Sequence, residues 1–425
     1  TAGGLAGRFF FRHYTRGTHS KVTHACVPRP ARVHENRYLD YDIYATLVAG
    51  KEFHASWKAM QEAEHAGVVW TPRNGGHWMV LRGHLVKRVL SDYEHFSNHT
   101  VLVPKDTAGE AYRLLPLSLD PPAHAPFRIL LSGGLSPQRV SKVEATIRDL
   151  TVGLIEQLKP RGQCDFTTEF AELLPIKIFM QIVDIPEHDT PKLKHLADQF
   201  TRPDGSLTYP QVVEHFHDYL APLIEARRGS DGDDMLSRMI NGQVDGRPLT
   251  DEEATNLCIQ VLVGGLDTVV NFLAFVMLFM AENKTARDDL RANPDKLPLE
   301  INELARRFPL VTVGRELRHD MEFEGVTLKQ GEMIVAPTIL HGLDEHENPD
   351  PITVDFKREN VQHSTFGAGS HSCPGAHLAR TETRIVLEEW LQRIPEFNLP
   401  AGQEISFTGG IVGSVNALPL EWKLN

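Results

Sequence analysis

Residues 366–382 read FGAGSHSCPGAHLARTE: one cysteine, three glycines and two histidines ahead of a run with helical spacing. Beyond the cysteine, Leu387, Trp390, Leu391 and Ile394 fall at i, i+3, i+4 and i+7, the stripe of a helix with one buried face. Cys373 therefore stands just before a helix N-terminus, where free N–H groups and the helix dipole are expected to lower a thiol's pKa. A thiolate so placed serves as a nucleophile or as a metal ligand. No neighbouring pattern supplies the orienting base that a nucleophile needs, which favours the ligand. The plain alternative, a buried cysteine acting as a small hydrophobe, is the commoner fate of a lone Cys. Gly367, Gly369 and Gly375 argue against it, because they clear the backbone for close approach of a flat group.

The chain around this loop has 425 residues, 41% hydrophobic and 24% charged, the make-up of a globular protein. Its formal charge of −12 gives no reason to expect nucleic acid or an anionic membrane as partner. Cys26, Cys164, Cys258 and Cys373 are far apart and form no CxxC pair, which argues against a disulfide framework or zinc ribbon and fits a cytoplasmic location. The 21 histidines show no HExxH spacing. Residues 1–35 are Arg-rich and carry no acid before Glu35, like a transit peptide or a translated upstream stretch, and are expected to lie outside the fold.

From about residue 36 to 425 helical patterns dominate. GKEFHASWKAMQEAEHAG reads as an amphipathic helix closed by Gly67, and VVWTPRNGGHWMVLRG as a hairpin turning at Asn74-Gly75-Gly76. Helices are expected over 136–160, 167–183, 211–228, 250–283, 297–308 and 376–393. The strands are short and gathered late: EFEGVTL, MIVAP and a pair within SFTGGIVGSVNALPLEW. This is the pattern of one large, mainly α body with small β-sheets.

IQVLVGGLDTVVNFLAFVMLFMA, residues 259–281, is long enough to cross a bilayer. Gln260, Asp267 and Asn271 interrupt it, and an intramembrane Asp is costly, so a central core helix is the better reading. Gly264, Gly265 and Thr268 share one face of it, and two mid-helix glycines cost about 1 kcal/mol each against Ala. A helix crossing with Asp267 paired to an Arg would explain these residues, and so would a functional groove. Glu303 and Arg306, in ELARRF, are an i, i+3 pair that on a surface would be worth only a few tenths of a kcal/mol.

Taken together, Phe366, Gly367, Gly369, His371, Cys373 and Gly375 match the Phe-Gly-x-Gly-x-His/Arg-x-Cys-x-Gly loop, and the chain resembles the cytochrome P-450 superfamily over residues 37–425. The resemblance implies a haem b cofactor with Cys373 as the axial ligand of its iron, and O2 as co-substrate. It implies that Phe366 covers the sulfur. His371, His124 and Arg128 in DPPAHAPFR, and Arg315 in VGREL, would hold the propionates. Gly264 and Gly265 would lie across the haem, with Asp267 and Thr268 delivering protons to bound dioxygen. Glu303, Arg306 and Arg358 match the superfamily's structural Glu-x-x-Arg and its third member. Pro374 lacks an N–H that could have bonded the sulfur. A Cys-Pro pair also occurs in haem-sensing proteins, which leaves a haem or terpenoid sensor without turnover as a rival.

VLVGGLDTVVNF is similar to the wording of the superfamily's camphor-hydroxylating bacterial members. By that resemblance Tyr112 would donate to a substrate ketone, and Thr201, Val263, Val311, Ile411 and Val412 would line the pocket. Leu114 replaces an aromatic there, Gln260 an aliphatic residue and Val313 an acid near a propionate, so cineole or another small bicyclic terpenoid is as open as camphor. No flavin or nicotinamide fingerprint is visible: NGGHW lacks GxGxxG spacing. Electrons would then come from a two-iron two-sulfur ferredoxin served by an NADH-dependent reductase. A peroxide-driven enzyme, which has no need of Asp267 and Thr268, is the rival within catalysis.

Overall fold

The apolar run becomes two helices, not one. In the computed structural model, which describes residues 26–47, 52–64, 66–105 and 114–424, a helix spans Asp251–Gly265 and a second spans Thr268–Glu282. The first is capped by Thr250, whose hydroxyl accepts from the Glu253 N–H at 3.1 Å while Glu253 reaches back to the Thr250 N–H at 2.8 Å. The break falls at Leu266 and Asp267, where Asp267 has φ −132° and ψ −39°. A continuous helix over 250–283 was expected. Two glycines beside a carboxylate tied to another element interrupt the ladder, a recognised cause of kinks. Together the pair is long and apolar enough to cross a bilayer, but it is mostly buried within the protein. Phe275 stacks on Phe407 and packs against Phe53, with ring centroids 5.8 and 5.3 Å apart.

Around this axis, helices at Pro137–Leu158, Leu173–Ile182, Tyr209–Arg227, Leu297–Arg307 and Ala376–Arg393 follow the expected stretches closely. The helix expected over 50–67 is Phe53–Ala63, because Glu64 turns extended at φ −105°, ψ 112°. Helices at Gly83–Ser91, His124–Gly134 and Thr190–Thr201 were not foreseen. The last shows its signal in retrospect: Leu193, Leu196, Ala197 and Phe200 are its buried stripe.

One five-stranded sheet matters for the site. We label its strands β1 (Val68–Thr71), β2 (His77–Val80), β3 (Phe96–Ser97), β4 (Thr312–Leu317) and β5 (Met333–Pro337), which lie in the order β1-β2-β5-β4-β3. β1 and β2 form the expected hairpin with Trp70 opposite Trp78, and Asn74, Gly75 and Gly76 all take positive φ. β5 runs parallel to β2 and antiparallel to β4, setting Ile334 opposite Arg315. Residues upstream of 36 also touch this layer: Val33 is buried in its core, and the Val27 N–H donates to the Pro72 carbonyl at 3.0 Å.

Candidate functional site

The cysteine loop is folded on itself and wedged against the helix Gly83–Ser91. The Cys373 N–H donates to the Phe366 carbonyl at 2.7 Å, and Gly367 to Ser364 at 2.8 Å. Gly369 has φ +68°, and a Cβ there would lie 2.8 Å from the Ser91 Cα, so only glycine fits. The Cys373 side is exposed, yet burial still pushes its thiol pKa up. The N–H groups of Gly375 and Ala376 and the charges of Arg128 and Arg380 pull the value down, but less than burial raises it. The expected lowering at the helix N-terminus is thus present as a contribution and reversed in the sum. Phe366 lies beside this loop, with the Arg380 guanidinium 4.2 Å from its ring centre.

Beside the loop stands a set of buried ring and guanidinium nitrogens without hydrogen-bond partners. His124 and His371 have ring centroids 4.2 Å apart, and the Nε2 of each is buried without a hydrogen-bond partner. Arg315, 3% exposed on β4, has an unpartnered Nε, and its Nη1 reaches only the Gly314 carbonyl at 2.8 Å. Burial, then the positive charge of Arg315 and of His124, drives His371 down to about 3. Burial takes Arg315 down to about 10, and burial followed by Arg128 lowers His124. Buried polar nitrogens without partners are rare in folded proteins, and an anion placed among these three would favour protonated rings that donate to it. Haem propionates would satisfy all three. Arg128, expected to share that task, donates from Nη2 to the Ser372 carbonyl next to the cysteine.

The interrupted helix carries the second group of expected residues. Along an otherwise buried stretch Gly264 is exposed, and Gln260, Gly265, Thr268 and Val269 are partly accessible, which marks one open face. The two glycines do different work. A Cβ on Gly265 would strike the Phe179 ring at 2.3 Å, so Gly265 is the helix-crossing residue. A Cβ on Gly264 would meet only the Gln260 Nε2, at 3.9 Å, so Gly264 borders space. We expect Gly265→Ala to lower unfolding free energy by about 1–3 kcal/mol through overpacking, measured by urea denaturation, with Gly264→Ala costing nothing. Equal effects would contradict this division.

Thr268 donates its hydroxyl to the Gly264 carbonyl at 3.2 Å and so holds the break open on that face. Asp267, fully buried, is clamped by Arg202: Nη1 to Oδ2 at 2.8 Å and Nη2 to Oδ1 at 2.5 Å. Asn271 Nδ2 adds a bond to Oδ1 at 3.0 Å, and Lys194 Nζ stands 3.8 Å away. Burial alone would raise the Asp267 carboxyl, but Arg202 and Lys194 outweigh it and hold it below its ordinary value. Arg202 and Lys194 escaped the sequence reading; Lys194, Asp198 and Arg202 at i, i+4, i+8 were the available signal.

Of the residues expected to line a pocket, Val311 and Val412 meet in a β-bridge, and the Thr312 N–H donates to the Ile411 carbonyl at 2.8 Å. Arg202 Nη1 reaches the Val412 carbonyl at 3.2 Å, and the Thr201 hydroxyl bonds Asp267, which ties this strand to the helix break. Val263 (9% exposed) lies on the broken helix, and Leu114 (1%) is packed in the core. Tyr112 lies outside the described residues. Glu303, Arg306 and Arg358 form a cluster in the core below the loop: Glu303 takes two 2.7 Å bonds from Arg306, and Arg358 Nε stands 3.2 Å from it.

Comparison with known proteins identifies the family. The Cytochrome P450 family profile matches residues 176–408, more than half of the chain. A probable cytochrome P450 127A1 from Sinorhizobium fredii is 34% identical, over 82% of this chain and 84% of that protein. Cytochrome P450(MEG) from Priestia megaterium is 30% identical, over 81% and 88%. The crystal structure of CYP101J2 superimposes with a TM-score of 0.87 at 52% identity, over 93% of this chain and 100% of that one. That of cytochrome P450 CYP101C1 gives 0.85 at 37%, with the same coverage.

Proposed function

The chain belongs to the cytochrome P450 family, and from that premise we propose that it hydroxylates an unactivated C–H bond of a small bicyclic monoterpenoid, drawing electrons from a two-iron two-sulfur ferredoxin and its NADH-dependent reductase. Haem b, when bound, supplies activation of O2, one atom of which enters the substrate while the other leaves as water. The chain's own residues then have distinct tasks. Cys373 holds the iron, and Phe366 flanks the sulfur. His124, His371, Arg128 and Arg315 would hold the propionates, and Arg128 also braces the loop at Ser372. The Thr268 hydroxyl on the open face and the ionised Asp267 behind it move protons to the oxygen site, excluding bulk water from the step.

The observation that carries the haem assignment is the accessible thiol beside three buried, unpartnered nitrogens, on His124, His371 and Arg315. The substrate class rests on the similarity of VLVGGLDTVVNF to the camphor-hydroxylating members, together with the expected Val263, Val311, Ile411 and Val412 set. Apolar walls with one or two polar groups select a small, largely hydrocarbon ligand and fix its orientation. An optical titration of the ferric protein with camphor, and with cineole in parallel, tests it. A shift from low to high spin is expected with at least one, followed by a hydroxylated product on reconstitution with ferredoxin and reductase. No shift with either ligand would overturn the terpenoid reading; a shift without product would favour a sensor.

A further inference from the structure

We propose that His341 is a positioning residue for the cysteine loop: through Ser364 it fixes the backbone that carries Cys373, and with it the placement of the sulfur against the iron. The inference rests on Cys373 as the iron ligand and names a residue outside the site that holds it in place.

His341 lies on the short helix Thr338–Gly342 and is 1% exposed. Its Nδ1 stands 2.7 Å from the Oγ of Ser364, 23 residues on in the chain, and its Nε2 stands 3.1 Å from Glu347 Oε2. A carboxylate only accepts, so Nε2 carries the proton and donates to Glu347, and Nδ1 accepts from the Ser364 hydroxyl. Burial holds the ring below its ordinary pKa against the pull of Glu347, which favours this neutral form. Ser364, itself buried, opens the loop. Its carbonyl accepts the Gly367 N–H at 2.8 Å, and two residues on the Phe366 carbonyl accepts the Cys373 N–H at 2.7 Å.

A second route to the loop runs through the helix Gly83–Ser91. The Gly83 N–H donates to Asp344 Oδ2 at 2.7 Å, and a Cβ on Gly83 would lie 2.8 Å from His341 Cδ2 and 3.0 Å from Glu347 Oε1. The far end of that helix is the Ser91 backbone against which Gly369 packs. His341 is anchored in turn, because the carbonyl of the adjacent Gly342 accepts from the buried Arg306 Nη1 at 2.7 Å. The imidazole thus joins a fixed point in the core to two sides of the loop. A hydrocarbon of the same shape would fill its space but could not accept the Ser364 hydroxyl. Groups that orient a metal ligand from behind change how it holds the metal without touching the metal themselves.

Ser364→Ala, His341→Leu and the double variant test this in the haem-loaded protein. The readouts are hydrogen exchange of the amides at 365–373 and the carbon monoxide complex of the reduced protein. Exchange across the loop is expected to be about tenfold faster in either single variant, the equivalent of one buried hydrogen bond, and no faster in the double. The strongly red-shifted Soret band of the thiolate-bound complex should decay correspondingly faster to an unshifted one. His341→Asn, whose carboxamide oxygen comes near the place of Nδ1, should restore most of the wild-type behaviour. His341→Gln, which reaches toward Glu347 instead, should not. Ile224→Ala, which opens a cavity at a buried position of the helix Tyr209–Arg227, is the comparison for general loss of stability. Wild-type exchange and decay in Ser364→Ala, additive effects in the double variant, or rescue by His341→Gln in place of His341→Asn would overturn the inference. So would an equal acceleration by Ile224→Ala at matched global stability. A wild-type protein without the red-shifted band would instead remove Cys373 as the ligand, and this inference would fall with it.

Discussion

Replacing Asp267 by Asn is expected to cut reductase-driven product formation by on the order of 100-fold or more while ligand binding persists, the usual effect of removing a positioned proton-transfer group. Asn keeps the shape and one acceptor oxygen but loses the charge. Arg202 remains partnered in the variant by Asp198, 3.3 Å away, and by the Val412 carbonyl, so the fold should survive. Peroxide-driven turnover, which brings both oxygen atoms already reduced, should fall far less. The measurement is product per NADH consumed, beside product per peroxide, in the same preparation. Undiminished coupling to NADH would remove Asp267 from proton delivery. The same pair carries a pH signature. The folded-state pKa of Asp267 lies below the ordinary carboxylate value of 3.8, so its stabilising contribution is complete above that value and is lost as pH falls through the folded pKa. The stability gap between wild type and Asp267→Asn should therefore narrow below about pH 4 and stay flat above pH 5.

The second large effect concerns Glu303. Glu303 is 2% exposed and Arg306 is fully buried. Beyond its two bonds to Glu303, Arg306 donates to the carbonyls of Gly342, Pro351 and Thr353 at 2.7, 2.7 and 3.0 Å. Glu303 also accepts from the Asp355 N–H at 3.0 Å. Glu303→Ala strands a buried guanidinium and should destabilise the protein by about 3–5 kcal/mol, the range for breaking a buried pair from one side. An exposed pair would cost under about 1 kcal/mol. The consequence should reach the site, because the Thr365 hydroxyl just before the cysteine loop donates to the Ala305 carbonyl on the same helix at 2.6 Å. We therefore expect weaker haem retention alongside a lower urea midpoint. A variant within about 0.5 kcal/mol of wild type would return the cluster to the status of an ordinary ion pair.

What the sequence made legible was the local chemistry with strict backbone demands. Gly369 is required because a Cβ there would meet the Ser91 backbone, and such needs leave glycines at fixed spacing around Cys373. The hairpin at Asn74-Gly75-Gly76 was readable for the same reason, its residues taking positive φ. Long amphipathic helices were found to within a few residues. Tertiary pairing was not legible. Nothing local says that Arg202, 65 residues upstream of Asp267, closes on it, and that pairing helps to break one expected helix into two. The sign of the Cys373 shift was misjudged because the helix dipole can be read locally, whereas desolvation depends on everything packed around the thiol. Glycines 264 and 265 looked alike in sequence; only Phe179 tells them apart.

The most direct test of the central assignment is the optical spectrum of the haem-loaded protein, reduced and bound to carbon monoxide, for wild type and Cys373→Ala. The wild-type protein should show the strongly red-shifted Soret band that thiolate ligation gives, and Cys373→Ala should lose it. A band in the position of a histidine-ligated carbonyl haem, unchanged in Cys373→Ala, would contradict the assignment of Cys373 as the ligand and the oxygenase chemistry built on it.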